Sequence, residues 1–295
     1  MVLTDTELRS FDENGFLVLH EVLGSDELRE IRQAADELCA LDGDRIPEDW
    51  REDYRYGALV GAAVNTGSML CRLEYPLAKD RRFLAMVANP AILAVAADLH
   101  QDEVVLTWED MVVKTPGSGE PVPFHQDDLF QSRASRVFSI GVYLDDSTRD
   151  PLLVYPGTHQ LGPLSESQVE AWVAAAKEPP LRVPVSAGDA IVHNVRMIHG
   201  SSANTSTLRR VVYLEFRTPD QVRYDSPWDE WWLERRLSIV PAAIRERAAL
   251  GWGVNPAWKT AEAKTDWSVR IPPSPGDEVY LRVDHKDIAQ RRQES

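Results

Sequence analysis

The chain has 295 residues, 43% of them hydrophobic and 27% charged, which is typical of a globular protein with one large domain or two small ones. Its net charge of -15 argues against nucleic acid or an anionic membrane surface as the main partner. Cys39 and Cys71 form neither a disulfide framework nor a metal-binding spacing, and neither a signal peptide nor an apolar membrane span is evident, so we expect a cytoplasmic protein.

The first part of the chain predicts mainly helices. Thr4 and Glu7 have the spacing of a capping box, and the Asn-Gly pair that follows is expected to end this helix before a short buried strand at 16–19. Ser25 is predicted to cap a second helix, in which apolar residues recur at helical spacing. Residues 40–65 are acidic and predict an irregular loop over a cleft.

Beyond about residue 90 the pattern changes to short strands. These are predicted at 103–114, 135–144, 151–156, 189–194, 195–199 and 209–217. A helix at 165–177 interrupts them, and helices follow residue 217. Closely spaced short strands favour a barrel or sandwich over alternating β-α units.

The chain is expected to form a single domain over 1–295. Residues 1–100 would be a mainly helical support, 101–217 the β core, and 218–295 a helical region and tail.

One predicted strand indicates a cavity inside the β core. In 135–144, the face that carries Ser139, Gly141 and Tyr143 is smaller and more polar than the opposite face. An interior that holds a ligand needs such a face, whereas a solid core does not. Tyr143 is therefore a candidate for a hydrogen bond to a bound molecule, with a core tyrosine as the alternative.

The pattern His-x-Asp occurs three times, at 100–102, 125–127 and 285–287. The first follows an apolar helical stretch, where a histidine in the last turn interacts favourably with the helix dipole. The third lies in a charged tail and predicts a solvated turn. Only the second has apolar neighbours on both sides and lies at the margin of a predicted strand.

A distant histidine completes a possible metal site. His125, Asp127 and His199 would supply two imidazoles and one carboxylate, the set expected of non-haem Fe(II) oxygenases with open coordination positions. The residue types alone leave open the alternative of an ordinary polar turn and a core histidine. His159 and His193 are predicted to be structural.

Four segments together resemble the phytanoyl-CoA dioxygenase family of Fe(II)/2-oxoglutarate oxygenases: "FDENGFLVLHEVLGSDEL", "KTPGSGEPVPFHQD", "PGTHQLG" and "AGDAIVHNVRMIHGSSANTSTLRR". The resemblance implies a mainly β fold, with helices packed around a double-stranded β-helix (a jelly-roll, cupin-like core). It assigns Fe(II) to His125, Asp127 and His199, and it implies 2-oxoglutarate and O2 as co-substrates.

The same resemblance implies an arginine that binds the distal carboxylate of 2-oxoglutarate. Two neighbours compete for this role, and strand alternation directs Arg209 into the barrel if the more apolar face, which carries Arg210, is covered by helices. Arg209 is our prediction and Arg210 the alternative. Ser201 matches the serine of the family's His-Gly-Ser and is expected to contact the same carboxylate, unless it only bonds the backbone of its own turn.

These features predict a dioxygenase that hydroxylates a small organic molecule, such as a specialised metabolite, and releases succinate and CO2. The same oxidant would also serve desaturation, cyclisation or epimerisation. The alternatives from other classes are a non-catalytic jelly-roll binding protein and a cupin-like metal-dependent isomerase or hydrolase. We expect a monomer or homodimer with no nucleic-acid or membrane partner.

Overall fold

The computed structural model describes residues 3–57, 69–116, 121–127, 136–203, 207–224, 228 and 230–253. The strands in this part of the chain are β1 (Phe16–Leu19), β2 (Tyr54–Tyr56), β3 (Leu70–Glu74), β4 (Val105–Lys114), β5 (Val122–His125), β6 (Phe138–Tyr143), β7 (Ser147–Val154), β8 (Leu181–Val185), β9 (Ala190–Asn194), β10 (His199–Ser201) and β11 (Arg209–Arg217). The helices are α1 (Asp5–Asn14), α2 (Ser25–Cys39), α3 (Pro76–Lys79), α4 (Arg81–Val87), α5 (Pro90–His100), α6 (Glu166–Ala175), α7 (Pro219–Tyr224), α8 (Glu230–Arg236) and α9 (Ile239–Ala249).

The strands form two antiparallel sheets. The larger sheet has the order β1-β9-β6-β11-β4-β3-β2, and the smaller has the order β5-β10-β7-β8. One cavity is lined by residues of both sheets. This arrangement confirms the predicted mainly β fold with a jelly-roll core and flanking helices.

Side-chain alternation along β11 separates the core from the cavity. Val212, Leu214 and Phe216 are fully buried in the main hydrophobic cluster, which includes residues of α2, α4, α5 and α9. Tyr213 points the other way and lines the cavity. Helices therefore cover the more apolar face of the strand, as the sequence predicts, and the opposite face is left for a ligand.

Of the predictions for the N-terminal part of the chain, those for the first helix are confirmed, and two others are wrong in part. The Thr4–Glu7 capping box is present, and Gly15 ends α1 with a φ of 82°, a left-handed conformation that favours glycine. The prediction that Ser25 caps the second helix is wrong by one residue, because Gly24 occupies the cap position. The irregular loop predicted over 40–65 is also wrong in part, since β2 lies within it and pairs with β3.

The strand predicted at 195–199 is wrong except for its last residue. Asn194 begins a turn in which its carbonyl accepts from Met197 N and its side chain accepts from Arg196 N. The Asn194 side chain and carbonyl thus satisfy two backbone donors that would otherwise need a sheet partner. Strand β10 starts only at His199, which places this histidine at the end of a turn and against β5.

Two further predictions concern larger parts of the chain. The division into a 1–100 support, a 101–217 core and a 218–295 region remains a prediction, since all of 254–295 lies outside the described residues. Within the described residues no single helix is long and apolar enough to cross a membrane. The consecutive helices α4 and α5 reach that length and composition together but are bent by 44°.

Candidate active site

A cavity of about 250 Å³ lies between the two sheets. Its floor is the inner face of β4 and β11, which pair so that Lys114 lies opposite Arg209 and Asp110 opposite Tyr213. Its roof comes from the smaller sheet, where the register places His199 directly opposite His125. Asp127 follows β5 and is held by a hydrogen bond from its backbone N–H to the Val195 carbonyl, at 2.7 Å.

The structure brings the three predicted metal ligands together. One donor atom each from His125, Asp127 and His199 lies within 4.8 Å of the others. His125 Nε2 is 3.3 Å from Asp127 Oδ1, and His199 Nε2 is 3.4 Å from Asp127 Oδ2. Gly200 allows this approach of β10 to β5, because a Cβ at this position would lie 2.8 Å from the Val122 carbonyl oxygen.

The backbone fixes the tautomer of both histidines. His125 Nδ1 lies 2.8 Å from the Pro123 carbonyl oxygen, and His199 Nδ1 lies 3.0 Å from the Met197 carbonyl oxygen. Since a carbonyl only accepts, each Nδ1 carries a proton, and in its neutral form each ring has its lone pair at Nε2. The two Nε2 atoms are directed at the Asp127 carboxylate, and a divalent cation could bind all three groups there.

The protonation states also suit a metal. Burial raises the pKa of Asp127, but His199, His125 and His193 outweigh this effect and hold the pKa well below its usual value. Burial lowers the pKa of His199 to about 3, against the opposing effect of Asp127. At neutral pH Asp127 is therefore ionised and His199 neutral, the forms in which these groups bind metals. Burial lowers the pKa of His125, but the hydrogen bond and charge of Asp127 outweigh burial and raise it, so a metal would compete with a proton at His125 Nε2.

His193 also reaches this site, which the sequence did not predict. It is fully buried on β9, and its Nε2 lies 3.0 Å from Asp127 Oδ2. Because an ionised carboxylate only accepts, His193 Nε2 carries a proton and donates a hydrogen bond to Asp127. His193 therefore differs from the two ligand histidines: its Nε2 is occupied as a donor to Asp127, whereas theirs are the atoms available to a metal.

Ser201 and Arg209 line one end of the cavity, and together with Lys114, which contacts Ser201, they form what we call the cationic end. Lys114 Nζ donates to Ser201 Oγ at 2.7 Å, and Arg209 Nη2 donates to the same oxygen at 3.4 Å. Arg209 Nη1 donates to the Asp150 carbonyl at 2.6 Å, while its buried Nε has no hydrogen-bond partner among the described residues. Burial, together with Arg209, lowers the pKa of Lys114 to about 7.

The two arginines predicted as alternatives point in opposite directions. Arg209 lines the cavity, whereas Arg210 binds Asp145 through Nε at 2.9 Å and Nη2 at 3.0 Å, and binds Asp36 through Nη1. Arg210 is thus fully engaged outside the cavity. The roles assigned to Arg209 and Ser201 remain predictions; both residues line the cavity.

Tyr143 lies deeper than the sequence suggests. It is 1% exposed and packs in the cluster that contains Leu152 and Val211, and its hydroxyl is hydrogen-bonded to Tyr213. Tyr213 lines the cavity in its place. Gly141 makes room for the Tyr213 ring, since a Cβ at this glycine would lie 2.8 Å from its Cε1 atom.

The remaining histidines of the described chain have structural partners. His100 ends α5 as predicted, and its Nε2 contacts the Phe216 carbonyl at 3.1 Å. His159 Nε2 contacts the Asp12 carbonyl at 3.1 Å, in agreement with a structural role. The 285–287 pattern lies outside the described residues.

Four side chains at the other end of the cavity, Arg72, Asp110, Glu215 and Arg217, form what we call the ion-pair end. Arg72 Nε lies 3.2 Å from Asp110 Oδ2, and Arg217 donates to Glu215. Burial raises the pKa of Asp110 to about 6, which leaves the carboxylate mainly ionised at neutral pH. The sequence did not predict these residues, although Asp110 and Trp108 share the alternation of β4 with Lys114.

Comparison with known proteins agrees with the site. The family model for phytanoyl-CoA dioxygenase (PhyH) matches residues 11–212. The chain is 25% identical over 282 residues to the ectoine dioxygenase of Sphingopyxis alaskensis, covering 82% of this chain and 85% of that protein. It is 23% identical over 260 residues to phytanoyl-CoA dioxygenase domain-containing protein 1 of Danio rerio, covering 72% and 89%.

Solved structures share the fold. The apoform of EctD from S. alaskensis matches with a TM-score of 0.64 at 23% identity, over 82% of this chain and 86% of that one. The carbocyclase SnoK from nogalamycin biosynthesis matches with a TM-score of 0.61 at 21% identity, over 74% and 85%. EctD has also been solved with bound Fe and with 2-oxoglutarate. The chain belongs to the phytanoyl-CoA dioxygenase family of Fe(II)- and 2-oxoglutarate-dependent dioxygenases, with O2 as the second co-substrate.

Proposed function

We propose that this dioxygenase hydroxylates a small polar molecule, with Fe(II) held by His125, Asp127 and His199. The observation that carries the assignment is the convergence of two imidazole Nε2 atoms on the Asp127 carboxylate, each ring having its Nδ1 proton bound to a backbone carbonyl. Two nitrogens and one oxygen leave positions open for co-substrates, which suits Fe(II) oxygenase chemistry.

We propose that the cationic end anchors 2-oxoglutarate. Ser201 Oγ accepts from both Lys114 and Arg209, so its own hydroxyl proton is left to donate to a carboxylate. The unpartnered Nε–H of Arg209 adds a second donor, and the charge of the bound acid is offset by Arg209 and by Lys114 while that ammonium keeps its proton. Fe(II) and 2-oxoglutarate together with O2 supply the oxidant, through decarboxylation of 2-oxoglutarate to succinate and CO2.

We assign His193 the role of a positioning residue for Asp127. Its Nε2–H donates to Oδ2, which keeps the carboxylate oriented toward the two ligand histidines. We expect His193→Phe to weaken Fe(II) binding by about tenfold to a hundredfold, and His193→Gln, which keeps a donor, to restore part of the affinity. Iron titration of the folded variants distinguishes this role from a purely structural one. If His193 were only structural, its substitution would lower thermal stability and leave iron affinity unchanged.

The experiment that tests the metal site compares two His-x-Asp patterns. We expect Asp127→Ala to lose Fe(II) binding and succinate release, whereas Asp102→Ala, which changes the exposed aspartate of the first pattern, should retain both. Iron content and 2-oxoglutarate turnover are measured on the same samples, with Fe(II) and ascorbate supplied. Turnover near the wild-type level in Asp127→Ala would contradict the assignment.

Hydroxylation is proposed over the other outcomes of the same oxidant. The related proteins include an ectoine dioxygenase and a methylphosphonate hydroxylase, but also a carbocyclase and an epimerase from nogalamycin biosynthesis. A specialised metabolite as substrate is part of this proposal. Mass analysis of the product after turnover in labelled O2 decides between the outcomes, because only hydroxylation adds a labelled oxygen atom to the substrate.

The proposed function includes a cellular location and an oligomeric state. Cys39 and Cys71 are both free thiols, as in proteins of reducing compartments, and we propose a cytoplasmic enzyme that is a monomer or homodimer. Cell fractionation and light scattering test these statements. Recovery in a membrane fraction, or a larger assembly, would contradict them.

A further inference from the structure

The ion-pair end of the cavity carries no net charge of its own. Arg72 pairs with Asp110, and Arg217 pairs with Glu215 and also donates to Thr107 Oγ1 at 3.1 Å. Each pair contributes one positive and one negative charge. A molecule that binds against this wall therefore gains most if it, too, is neutral overall but carries separated charges.

Two atoms at this end lack the partners that their chemistry requires. Asp110 is 4% exposed and its carboxylate is hydrogen-bonded to the Trp108 side chain, but its Oδ1 atom has no hydrogen-bond partner that meets normal geometry within the described part of the chain. The Nε–H of Arg72 likewise has no hydrogen-bond acceptor there, although it lies 3.2 Å from Asp110 Oδ2. Buried acceptors and donors normally have hydrogen-bond partners. An unsatisfied acceptor next to an unsatisfied donor on a cavity wall therefore indicates a ligand that bonds to both.

The ion-pair end also lies beside the proposed metal site. Asp110 is opposite Tyr213 in the β4–β11 register, and the Tyr213 ring lies 6.1 Å from the ring of His193, which bonds Asp127. Trp108 and Trp228 contribute flat apolar surface to the same part of the cavity. A molecule held at Asp110 can therefore present its carbon skeleton to the reaction centre.

We propose that the substrate is a small zwitterion of the α-amino-acid type, whose ammonium donates to Asp110 Oδ1 and whose anionic oxygen accepts from Arg72. This inference rests on the proposed function, since it names the substrate class of that site. A simple amine would leave the Arg72 N–H bare, and a simple acid would leave Asp110 Oδ1 bare. A zwitterion satisfies both, because its two charged groups are as close together as Arg72 and Asp110 are.

Matched probes test this inference without knowledge of the natural substrate. L-Leucine is compared with isocaproate, which lacks the amine, and with isoamylamine, which lacks the carboxylate. L-Phenylalanine, hydrocinnamate and phenethylamine form a second set. Binding is measured by ligand-observed NMR and calorimetry on the anaerobic enzyme loaded with Fe(II) and 2-oxoglutarate, for the wild type, Asp110→Asn, Arg72→Gln and the exposed control Asp102→Asn.

We expect at least one zwitterion to bind about tenfold to a hundredfold more tightly than both of its counterparts. Asp110→Asn should remove its advantage over the acid, and Arg72→Gln its advantage over the amine, while Asp102→Asn changes neither. Equal binding of all three members of both sets, absence of zwitterion binding, or an unchanged affinity in Asp110→Asn would overturn the inference. Fe(II) and 2-oxoglutarate affinities, measured on the same samples, show separately whether the proposed function holds.

Discussion

The adjacent residues Arg209 and Arg210 offer a sharp test of how the cavity binds 2-oxoglutarate. Arg209 has one N–H committed to the Asp150 carbonyl and a long contact with Ser201 Oγ, so its Nε–H and part of its Nη2 group are available to a carboxylate. Arg209→Gln removes these charge-assisted bonds, each worth about 1.5–3 kcal/mol. We expect a loss of about 3 kcal/mol in all, or roughly a hundredfold weaker 2-oxoglutarate binding, because Lys114 remains and softens the change.

Arg210→Gln is the matched control, one residue away and on the opposite face of β11. It breaks the contacts with Asp145 and Asp36 and leaves the half-buried Asp145 carboxylate without its main cation. We expect it to lower the free energy of unfolding by about 1–3 kcal/mol and to leave 2-oxoglutarate affinity within about twofold. Arg209→Lys keeps the charge but not the fork and should fall between the wild type and Arg209→Gln.

The assay is calorimetric titration of 2-oxoglutarate into anaerobic Fe(II)-loaded enzyme, with urea unfolding of the same samples. Iron affinity serves as the check that each variant keeps the metal site. Weak 2-oxoglutarate binding in Arg210→Gln together with normal binding in Arg209→Gln would refute the orientation of β11 on which the proposed site depends.

Three further predictions follow from the contacts already described. Lys114→Met should weaken 2-oxoglutarate binding about tenfold and abolish its pH dependence; in the wild type, affinity should fall as pH rises through about 7, because the ammonium loses its proton there. Burial lowers the pKa of His100 to about 4, so neutral His100 contributes its full stability above about pH 6.5, and this contribution is lost as the pH falls through 4. Urea unfolding over this pH range should show a fall of about 3 kcal/mol in the free energy of unfolding, and the fall should be absent in His100→Gln. Gly141→Ala should displace the Tyr213 ring, cost about 1–3 kcal/mol in urea unfolding and reduce turnover, whereas unchanged turnover would show that the ring position is unimportant.

Local patterns in the sequence are sufficient for much of the fold. The alternation of β11 places Arg209 and Arg210 on opposite faces correctly, because successive side chains of a strand point to opposite sides and the two sides here differ in polarity. The capping box of α1 and the glycine that ends it are contained within a few residues. In contrast, the sequence 195–198 has strand-forming residues but forms a turn, because the Asn194 side chain and carbonyl satisfy two backbone donors.

The parts of the site that could not be predicted depend on pairing between distant strands. His193 follows the alternation of β9, but only the pairing of β9 with Ser139 on β6 directs it toward the cavity. Lys114 is the last residue of a strand that was predicted correctly, yet its place beside Arg209 follows from the register of β4 with β11. The sequence does place the polar residues Asp110 and Lys114 on one face of β4, which indicates a cavity wall. It does not indicate which residues of other strands lie opposite that wall.

The shared strands also determine how the two ends of the cavity can vary. Lys114 and Asp110 lie on one face of β4, four residues apart, which corresponds to about 14 Å at roughly 3.4 Å per residue. Since both ends are built on the same paired strands, their separation is set by backbone geometry and not by loop conformation. The proposed metal site and the bound 2-oxoglutarate share this length with the substrate, so the part of the substrate next to the metal must be small. Substitutions of Arg72 or Asp110 should therefore change which molecule binds while 2-oxoglutarate affinity stays close to that of the wild type, and a parallel loss of both affinities would show that the two ends are not independent.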